Sequence, residues 1–219
     1  MNVSPFRFSG PIDALSQDDR RTLFDRSTSA DDTVRRQTAE IIARVQRDGD
    51  TALREMAMTF DGATLEALEV PRSAWTHALG NMAPELRDAL ERTVRNVRVA
   101  HAAFLPTAVE VETEPGVRVG RRPDPLRRVG VYAPGGRAAY PSSLIMGVVP
   151  AKVAGVQDVI VCSPASPSGQ PSDVVLAAAE LAGADRMFAI GGAGAIAALA
   201  YGTASVPRVD RVVGPGNAW

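Results

Sequence analysis

The sequence predicts an α/β fold: a parallel-sheet, Rossmann-like domain, preceded by a mainly helical segment that belongs to a second, incomplete domain. After residue 126, short apolar runs alternate with helical segments, as expected for strands that are buried on both faces and joined by crossover helices. Before that point, apolar residues recur at helical spacing. We therefore expect the helical segment to comprise residues 1–126 and the sheet domain to comprise residues 127–219.

Composition favours a globular protein with a small-molecule partner. The 219 residues are 45% hydrophobic and 22% charged, enough for a sizeable core. The 24 basic and 25 acidic residues leave a net charge of −1, which predicts no binding to nucleic acid or to an anionic membrane surface. The single cysteine, Cys162, the absence of a secretory signal and the lack of an apolar run of about 20 residues together predict a cytoplasmic protein.

The first half predicts helices that end at glycine. Two apolar series lie ahead of Gly49 and Gly62; they comprise Val34, Ile41, Ile42 and Val45, then Leu53, Met56 and Phe60. Pro84 opens a longer amphipathic helix, which needs a partner for its apolar stripe. The stripe comprises Leu86, Leu90, Val94, Val97 and Phe104. If the partner strands of this domain are missing, such stripes stay exposed and favour dimerisation.

Residues 109–112 and 117–122 alternate apolar and charged side chains, which predicts two exposed strands. Pro123 and Pro125 then mark the boundary between the two halves.

Beyond the boundary, the pattern predicts four strands and three helices in alternation. The strands are expected at 128–133, 159–162, 187–190 and 209–213, and the helices at 142–154, 172–182 and 195–203. Pro150 lies inside the first of these helices and should bend or break it.

Small residues follow every predicted strand of this half, at 133–136, 163–169, 191–194 and 214–217. In a parallel sheet these loops meet at the carboxyl edge, where open α/β sheets bind ligands and where a bare backbone can approach a phosphate. Gly192, Gly194 and Ala197 also fit the G-x-G-x-x-A dinucleotide pattern. That match is weak, because the expected ribose-binding acid is missing: Asp210 lies at the start of its strand, on the wrong edge.

The last residues resemble a helix cap without its helix. Asn217 follows a Gly-Pro-Gly turn, a position from which its side chain normally bonds a backbone amide of a following helix. We therefore expect the sequence to be the amino-terminal portion of a longer protein.

Four segments carry a resemblance to a known family. They are residues 128–143 (RVGVYAPGGRAAYPSS), 149–155 (VPAKVAG), 195–203 (AIAALAYGT) and 209–217 (VDRVVGPGN). Together they resemble histidinol dehydrogenase, closely over residues 127–217 and only in general character before that.

The resemblance implies an NAD-dependent, zinc-containing homodimeric enzyme that oxidises L-histidinol through an aldehyde to L-histidine, the last step of histidine biosynthesis. Tyr132 and Asn217 match family positions that contact NAD. Gly194 stands where the family has glutamine, so one hydrogen bond to NAD should be missing, at a cost of about 1 kcal/mol. The zinc ligands and the catalytic Glu-His pair belong to the family's carboxyl-terminal half. We thus assign no catalytic or metal residue here and expect the isolated chain to lack dehydrogenase activity.

The remaining reactive side chains favour structural roles. His77 and His101 lack zinc-ligand spacing, and His101 falls on an apolar stripe, which favours a core or interface residue. Cys162 is expected to be a small core residue. Lys152 and Arg137 are expected either to attract phosphate or to stay exposed to solvent. Ser142 and Ser143 are expected to cap the helix that follows Pro141.

Two other functions remain open at this point. One is a non-catalytic nucleotide-binding or dimerising module derived from the same fold. The other is an unrelated α/β enzyme that acts on a phosphorylated metabolite.

Overall fold

The computed structural model describes residues 10–24, 32–135 and 138–216, and its α/β architecture confirms the predicted fold class. The helices are α1 (Gln17–Phe24), α2 (Asp32–Asp48), α3 (Asp50–Met56), α4 (Arg72–Gly80), α5 (Pro84–Ala103), α6 (Pro141–Val153), α7 (Asp173–Ala182) and α8 (Gly192–Tyr201). The strands are β1 (Val109–Glu114), β2 (Val117–Arg121), β3 (Arg128–Tyr132), β4 (Asp158–Cys162), β5 (Arg186–Phe188) and β6 (Arg211–Val213). A π-helical turn, Ala57–Asp61, extends α3.

The main sheet has four parallel strands in the order β5-β4-β3-β6. Val131 in β3 lies opposite Val161 in β4 on one side and opposite Val213 in β6 on the other. The middles of β3 and β4 are buried, as their continuous apolar runs predict for strands covered on both faces.

Helices cover both faces of this sheet. A Cβ atom at Gly130 would lie 2.9 Å from the Leu199 side chain of α8, whereas a Cβ atom at Gly147 in α6 would press on the side chain of Val131. Because neighbouring residues of a strand point to opposite faces, α6 and α8 lie on opposite sides of β3. The sheet is therefore doubly wound.

The helical segment packs onto these covering helices and shares one hydrophobic core with the sheet. α4 packs on α7, α5 on α6, and α2 on α8. Leu90 and Val94 of the predicted α5 stripe are buried, so this stripe finds its partner within the chain, whereas Leu86 and Phe104 at its two ends are exposed. The division at residues 126 and 127 stays a prediction.

The two halves also meet along the edge of the sheet. The backbone N–H of Val70 donates to the Met187 carbonyl oxygen, and the N–H of Ala189 donates to the Leu68 carbonyl oxygen, both at 2.8 Å. Residues 68–70 thereby run antiparallel along the outer side of β5. The predicted pair of exposed strands is confirmed as the antiparallel hairpin β1–β2, exposed along its whole length.

Some of the predicted helix ends and caps are confirmed and others are wrong. Gly49 (φ 53°) and Gly62 (φ 66°) follow helical segments with positive φ angles, and Gly62 adopts the left-handed conformation, so both predicted helix ends are confirmed. The predicted capping by Ser142 and Ser143 is wrong, because α6 starts one residue earlier, at Pro141, and places both serines inside its first turn. α6 also continues through Pro150 to Val153, so the predicted break at this residue does not occur, although Pro150 has no N–H to donate to the helix.

None of the helices in the described ranges is both long enough and apolar enough to cross a membrane.

Candidate functional site

The carboxyl ends of β3 and β6 frame a crevice. These strands are neighbours in the sheet, although their paired residues, such as Val129 and Arg211, are 82 positions apart in the chain; β4 and β5 lie on the far side of β3. The chain leaves β3 through α6 on one face and enters β6 from α8 on the other. Such a reversal of strand order is the place where doubly wound sheets bind their ligands.

The loops at this edge touch one another, which confirms the predicted convergence. A Cβ atom at Gly135 would lie 2.6 Å from the Pro164 side chain, and one at Gly191 would lie 2.7 Å from it. Pro164 is therefore wedged between the loops after β3 and β5. A Cβ atom at Gly214, after β6, would overlap the carbonyl oxygen of Tyr132. Side chains at these three glycines would push the loops apart.

Tyr132 connects the end of β3 to the start of α8. Its hydroxyl oxygen accepts a hydrogen bond from the backbone N–H of Gly192 at 3.1 Å. Burial raises the pKa of Tyr132; the Gly192 N–H works in the opposite direction without cancelling it. The phenol stays protonated at neutral pH, so its own O–H is free to donate to a ligand.

Two cavities flank Tyr132, and both also contain Gly192. The larger, about 410 Å³, lies between the helical segment and the start of α8. The smaller, about 130 Å³, lies over the ends of β3 and β6. The larger cavity is lined by Thr38, Ile41, Leu53, Met56, Ala57, Phe60, Asp61, Tyr132, Gly135, Pro164, Ile190, Gly191, Gly192, Ala193 and Gly194.

Gly194 lies in the first turn of α8, where α3 comes close. A Cβ atom at Gly194 would lie 3.0 Å from the Met56 sulfur and 3.4 Å from a methyl group of Leu53. The absence of a side chain at Gly194 thus lets α3 and α8 approach, and the wall they form is apolar.

Asp61 is a site residue that the sequence reasoning missed. Its carboxyl group lines the larger cavity, and burial raises the pKa of Asp61. Within the described residues this carboxyl group makes no hydrogen bond or ion pair. Asp61 belongs to the helical segment, 71 residues before Tyr132, so no local pattern marked it as part of the carboxyl edge.

A wider groove of about 750 Å³ runs along α6 and the unpaired side of β6. It contains neither Tyr132 nor the start of α8, and its lining is mostly apolar. We therefore place the candidate site at the two cavities that share Tyr132.

The chain is similar to known proteins over most of its length. The sequence profile of the family described as histidinol dehydrogenase matches residues 24–219. The chain belongs to the histidinol dehydrogenase family. Its relatives include histidinol dehydrogenases from Natronomonas pharaonis (47% identical over 219 residues, 100% of this chain and 49% of the relative) and Methanosarcina barkeri (43% over 206 residues, 94% and 47%). The crystal structure of histidinol dehydrogenase from Elizabethkingia anophelis is similar, with a TM-score of 0.82, 30% identity, and coverage of 86% of this chain and 43% of that one.

The chain spans about half the length of the histidinol dehydrogenases it matches. The match also extends through most of the helical segment, well beyond the residues that carried the resemblance. Asn217 and Arg137 lie outside the described residues. Of the three positions matched to NAD binding, Tyr132 and Gly194 thus come together at one cavity, and Asn217 stays a prediction.

Lys152 lies far from this cavity. Its ammonium group bonds the Asp185 carboxylate and the Gln157 carbonyl oxygen at the amino edge of the sheet, so the phosphate-attracting role is wrong. Asp210 is also on the amino edge, as predicted, where its carboxylate accepts a hydrogen bond from the N–H of Arg128 at 2.9 Å.

Histidinol dehydrogenases are NAD-dependent, zinc-containing enzymes. The described residues do not fit zinc, because residues 10–24, 32–135 and 138–216 hold no group of three His, Cys, Asp or Glu side chains that could bind a metal ion. His77 is exposed beside Asn81, and His101 packs edge-on against Phe104 with ring centroids 6.0 Å apart. Cys162 is fully buried, as predicted.

The same residues do fit NAD. The glycine-rich loops leave room for a close approach of the backbone, and the larger cavity is within the usual size of a small-molecule site. Between the two cavities lies the O–H of Tyr132, for which the described residues provide no acceptor.

Proposed function

We propose that this chain forms the NAD-binding part of a histidinol dehydrogenase, the enzyme that oxidises L-histidinol through histidinaldehyde to L-histidine. The observation that carries the proposal is the position of Tyr132. It ends β3 at the point where strand order reverses, and it lies between two cavities with its hydroxyl bonded to the start of α8. Family membership supplies the reaction.

In this proposal the chain holds and orients the dinucleotide, which serves as the hydride acceptor. The Tyr132 O–H donates to it, and the glycines after β3, β5 and β6 let its phosphates approach the backbone. Asn217 supplies a further contact, as the resemblance implies. Gly194 contributes no side-chain hydrogen bond, so the affinity for NAD is lower than with a polar side chain at this position.

The base and the zinc ion of the reaction come from other parts of the full enzyme in this proposal. The described residues offer no cluster for the metal, and neither histidine lines the cavities. The chain by itself therefore binds NAD without oxidising L-histidinol.

We further propose a cytoplasmic homodimer without nucleic-acid or membrane partners, divided into a segment of residues 1–126 and an NAD-binding domain of residues 127–219. Support for the dimer comes from the carboxyl-terminal end of α5, where Val99 and Phe104 are 72% and 73% exposed. Support for a small-molecule partner comes from the near-zero net charge.

Calorimetric titration with NAD tests the site. We expect saturable binding to the chain and a loss of about tenfold or more in affinity for Tyr132→Ala. The matched control is Tyr140→Ala, because Tyr140 is exposed and lines neither cavity. Equal affinities for the two variants would contradict the assignment of Tyr132.

Activity is tested separately, with the gene followed to its natural stop codon. If the encoded protein extends past Trp219, we expect L-histidinol-dependent formation of NADH by the longer protein and none by the 219-residue chain. NAD binding with no activity in any length of the product would instead favour the non-catalytic nucleotide-binding module.

A further inference from the structure

None of the parallel strands in the described part of the chain ends in the acidic residue that usually binds the ribose of a dinucleotide. In doubly wound folds that acid ends a strand at the carboxyl edge and accepts hydrogen bonds from the ribose hydroxyls. Here the last residues of β3, β4, β5 and β6 are Tyr132, Cys162, Phe188 and Val213. Asp210 is tied to Arg128 on the opposite edge.

Asp61 brings a carboxyl group to this edge by another route. The π-helical turn after α3 places it in the wall of the 410 Å³ cavity, together with Tyr132 and the first residues of α8. It is half-buried, and within the described residues nothing donates a hydrogen bond to it. Its carboxyl oxygens are thus available to accept hydrogen bonds from a ligand in this cavity.

We propose that Asp61 holds the two ribose hydroxyls of a dinucleotide whose base lies in the apolar part of this cavity. This inference rests on the proposed NAD-binding function and assigns a residue to the sugar. The helical segment thereby supplies the acid that the sheet domain lacks.

The chemistry of the cavity agrees with such a ligand. A carboxylate can accept hydrogen bonds from two adjacent hydroxyl groups at once, because each oxygen has two lone pairs. The rest of the wall suits a flat heterocycle, with side chains of Ile41, Leu53, Phe60, Pro164 and Ile190.

The same arrangement sets a preference between the two nicotinamide dinucleotides. Among the described residues, those that line the cavity include no Lys, Arg or His. A phosphate on the ribose 2′-oxygen would therefore lie beside the Asp61 carboxylate, and none of these described lining residues carries a positive charge to offset the repulsion. The chain binds NAD in preference to NADP.

Calorimetry with NAD and NADP on the 219-residue chain tests this assignment. The wild type is expected to bind NAD about tenfold or more tightly than NADP. Asp61→Asn should weaken NAD binding by about tenfold and should reduce the ratio of the affinities for NAD and NADP. Asp88→Asn is the matched control, since Asp88 lies exposed on α5 outside the cavity, and it should leave both affinities unchanged.

Tyr132→Ala separates this inference from the function on which it rests. It should weaken NAD and NADP alike, because Tyr132 is not placed at the 2′-position. If Tyr132→Ala weakens NAD and Asp61→Asn does not, the assignment of Asp61 is overturned while the NAD site stands. If the wild type binds neither dinucleotide, the proposed function itself fails.

A stability measurement guards against misfolding of the variant. Because burial raises the pKa of Asp61, ionisation of this group opposes folding above its ordinary pKa, and the neutral amide of Asp61→Asn removes that opposition. Asp61→Asn should thus unfold at an equal or higher urea concentration than the wild type at neutral pH. A lower midpoint together with weaker NAD binding would overturn the inference in favour of a purely structural role.

Discussion

Gly214 lies so close to Tyr132 that a Cβ atom at position 214 would overlap the Tyr132 carbonyl oxygen. Gly214 also has a φ angle of 144°, in the region that favours glycine. The contact brings the loop after β6 against the end of β3 and so closes one side of the crevice.

Replacing Gly214 by alanine should be strongly destabilising. Backbone strain alone costs about 1–3 kcal/mol, and the overlap with Tyr132 adds to it. The free energy of unfolding from urea titration measures the loss. Gly216→Ala is the matched control, because nothing lies within 4 Å of its Cβ position. Equal stabilities of the two variants would show that the loop moves freely away from β3.

Gly194 and Met56 should be energetically coupled. Alanine at position 194 gains about 1 kcal/mol of helix propensity but presses on the Met56 sulfur 3.0 Å away. Met56→Ala shortens that side chain and relieves the crowding. The free energy of unfolding of the double variant should therefore exceed the value expected from adding the two single effects by about 0.5–3 kcal/mol.

The control is a second double-mutant cycle in which Met146→Ala takes the place of Met56→Ala, since Met146 is exposed on α6. Its coupling to Gly194→Ala should be close to zero.

The same crowding limits Gly194→Gln, which should tighten NAD binding more in the Met56→Ala background than alone. A Gly194→Gln variant with full gain of affinity in the wild-type background would contradict the packing of α3 on α8.

Asp50 should stabilise the chain in a pH-dependent way. Its carboxylate accepts hydrogen bonds from the hydroxyls of Thr203 and Ser205, at 2.5 and 2.6 Å, and so ties the start of α3 to the end of α8. Burial acts to raise the pKa of Asp50, but the bonds from Ser205 and Thr203 outweigh it and hold the pKa below its ordinary value.

A carboxyl group with a depressed folded-state pKa stabilises the protein above its unfolded pKa of about 3.9 and loses that effect as the pH falls through the folded value. Because Asp50 is partly exposed to solvent, Asp50→Asn should cost about 1 kcal/mol at pH near 7. The difference from the wild type should shrink as the pH falls from about 4 through the lower folded-state pKa. Thermal unfolding across this pH range measures it. A difference that stays constant with pH would rule out the charged hydrogen bonds as its source.

Cys162 should be chemically silent in the folded chain. It is fully buried in β4, and burial raises the pKa of its thiol. We expect no reaction with a thiol-specific disulfide reagent under native conditions and one reactive thiol per chain in urea. Rapid labelling of the native protein would show that β4 opens far more readily than its packing implies.

Local sequence patterns predicted much of this architecture. Apolar runs and glycine positions are properties of short segments, and they indicated the alternation of β3 to β6 with α6 to α8. Because parallel strands present their carboxyl ends at one edge, the same patterns also put Tyr132 beside the glycine loops. The resemblance in residues 128–217 then pointed to NAD at this edge.

Side-chain proximity across the chain could not be predicted in this way. Attraction of phosphate was one of two roles considered for Lys152, yet its helix ends at the amino edge of the sheet, where its ammonium group bonds the Asp185 carboxylate. Ser142 and Ser143 were expected to cap a helix that in fact starts at Pro141, whose fixed φ suits the first helical position.

The amino-acid sequence by itself determined the order of the elements, the glycine-rich carboxyl edge and the place of Tyr132 on it, because these follow from the periodicity of neighbouring residues. Only the tertiary structure decided that Asp61 faces the Tyr132 cavity and that Met56 lies over Gly194. Those contacts depend on how α3 docks against α8, and docking is set by complementary shapes of surfaces that lie more than 130 residues apart in the chain.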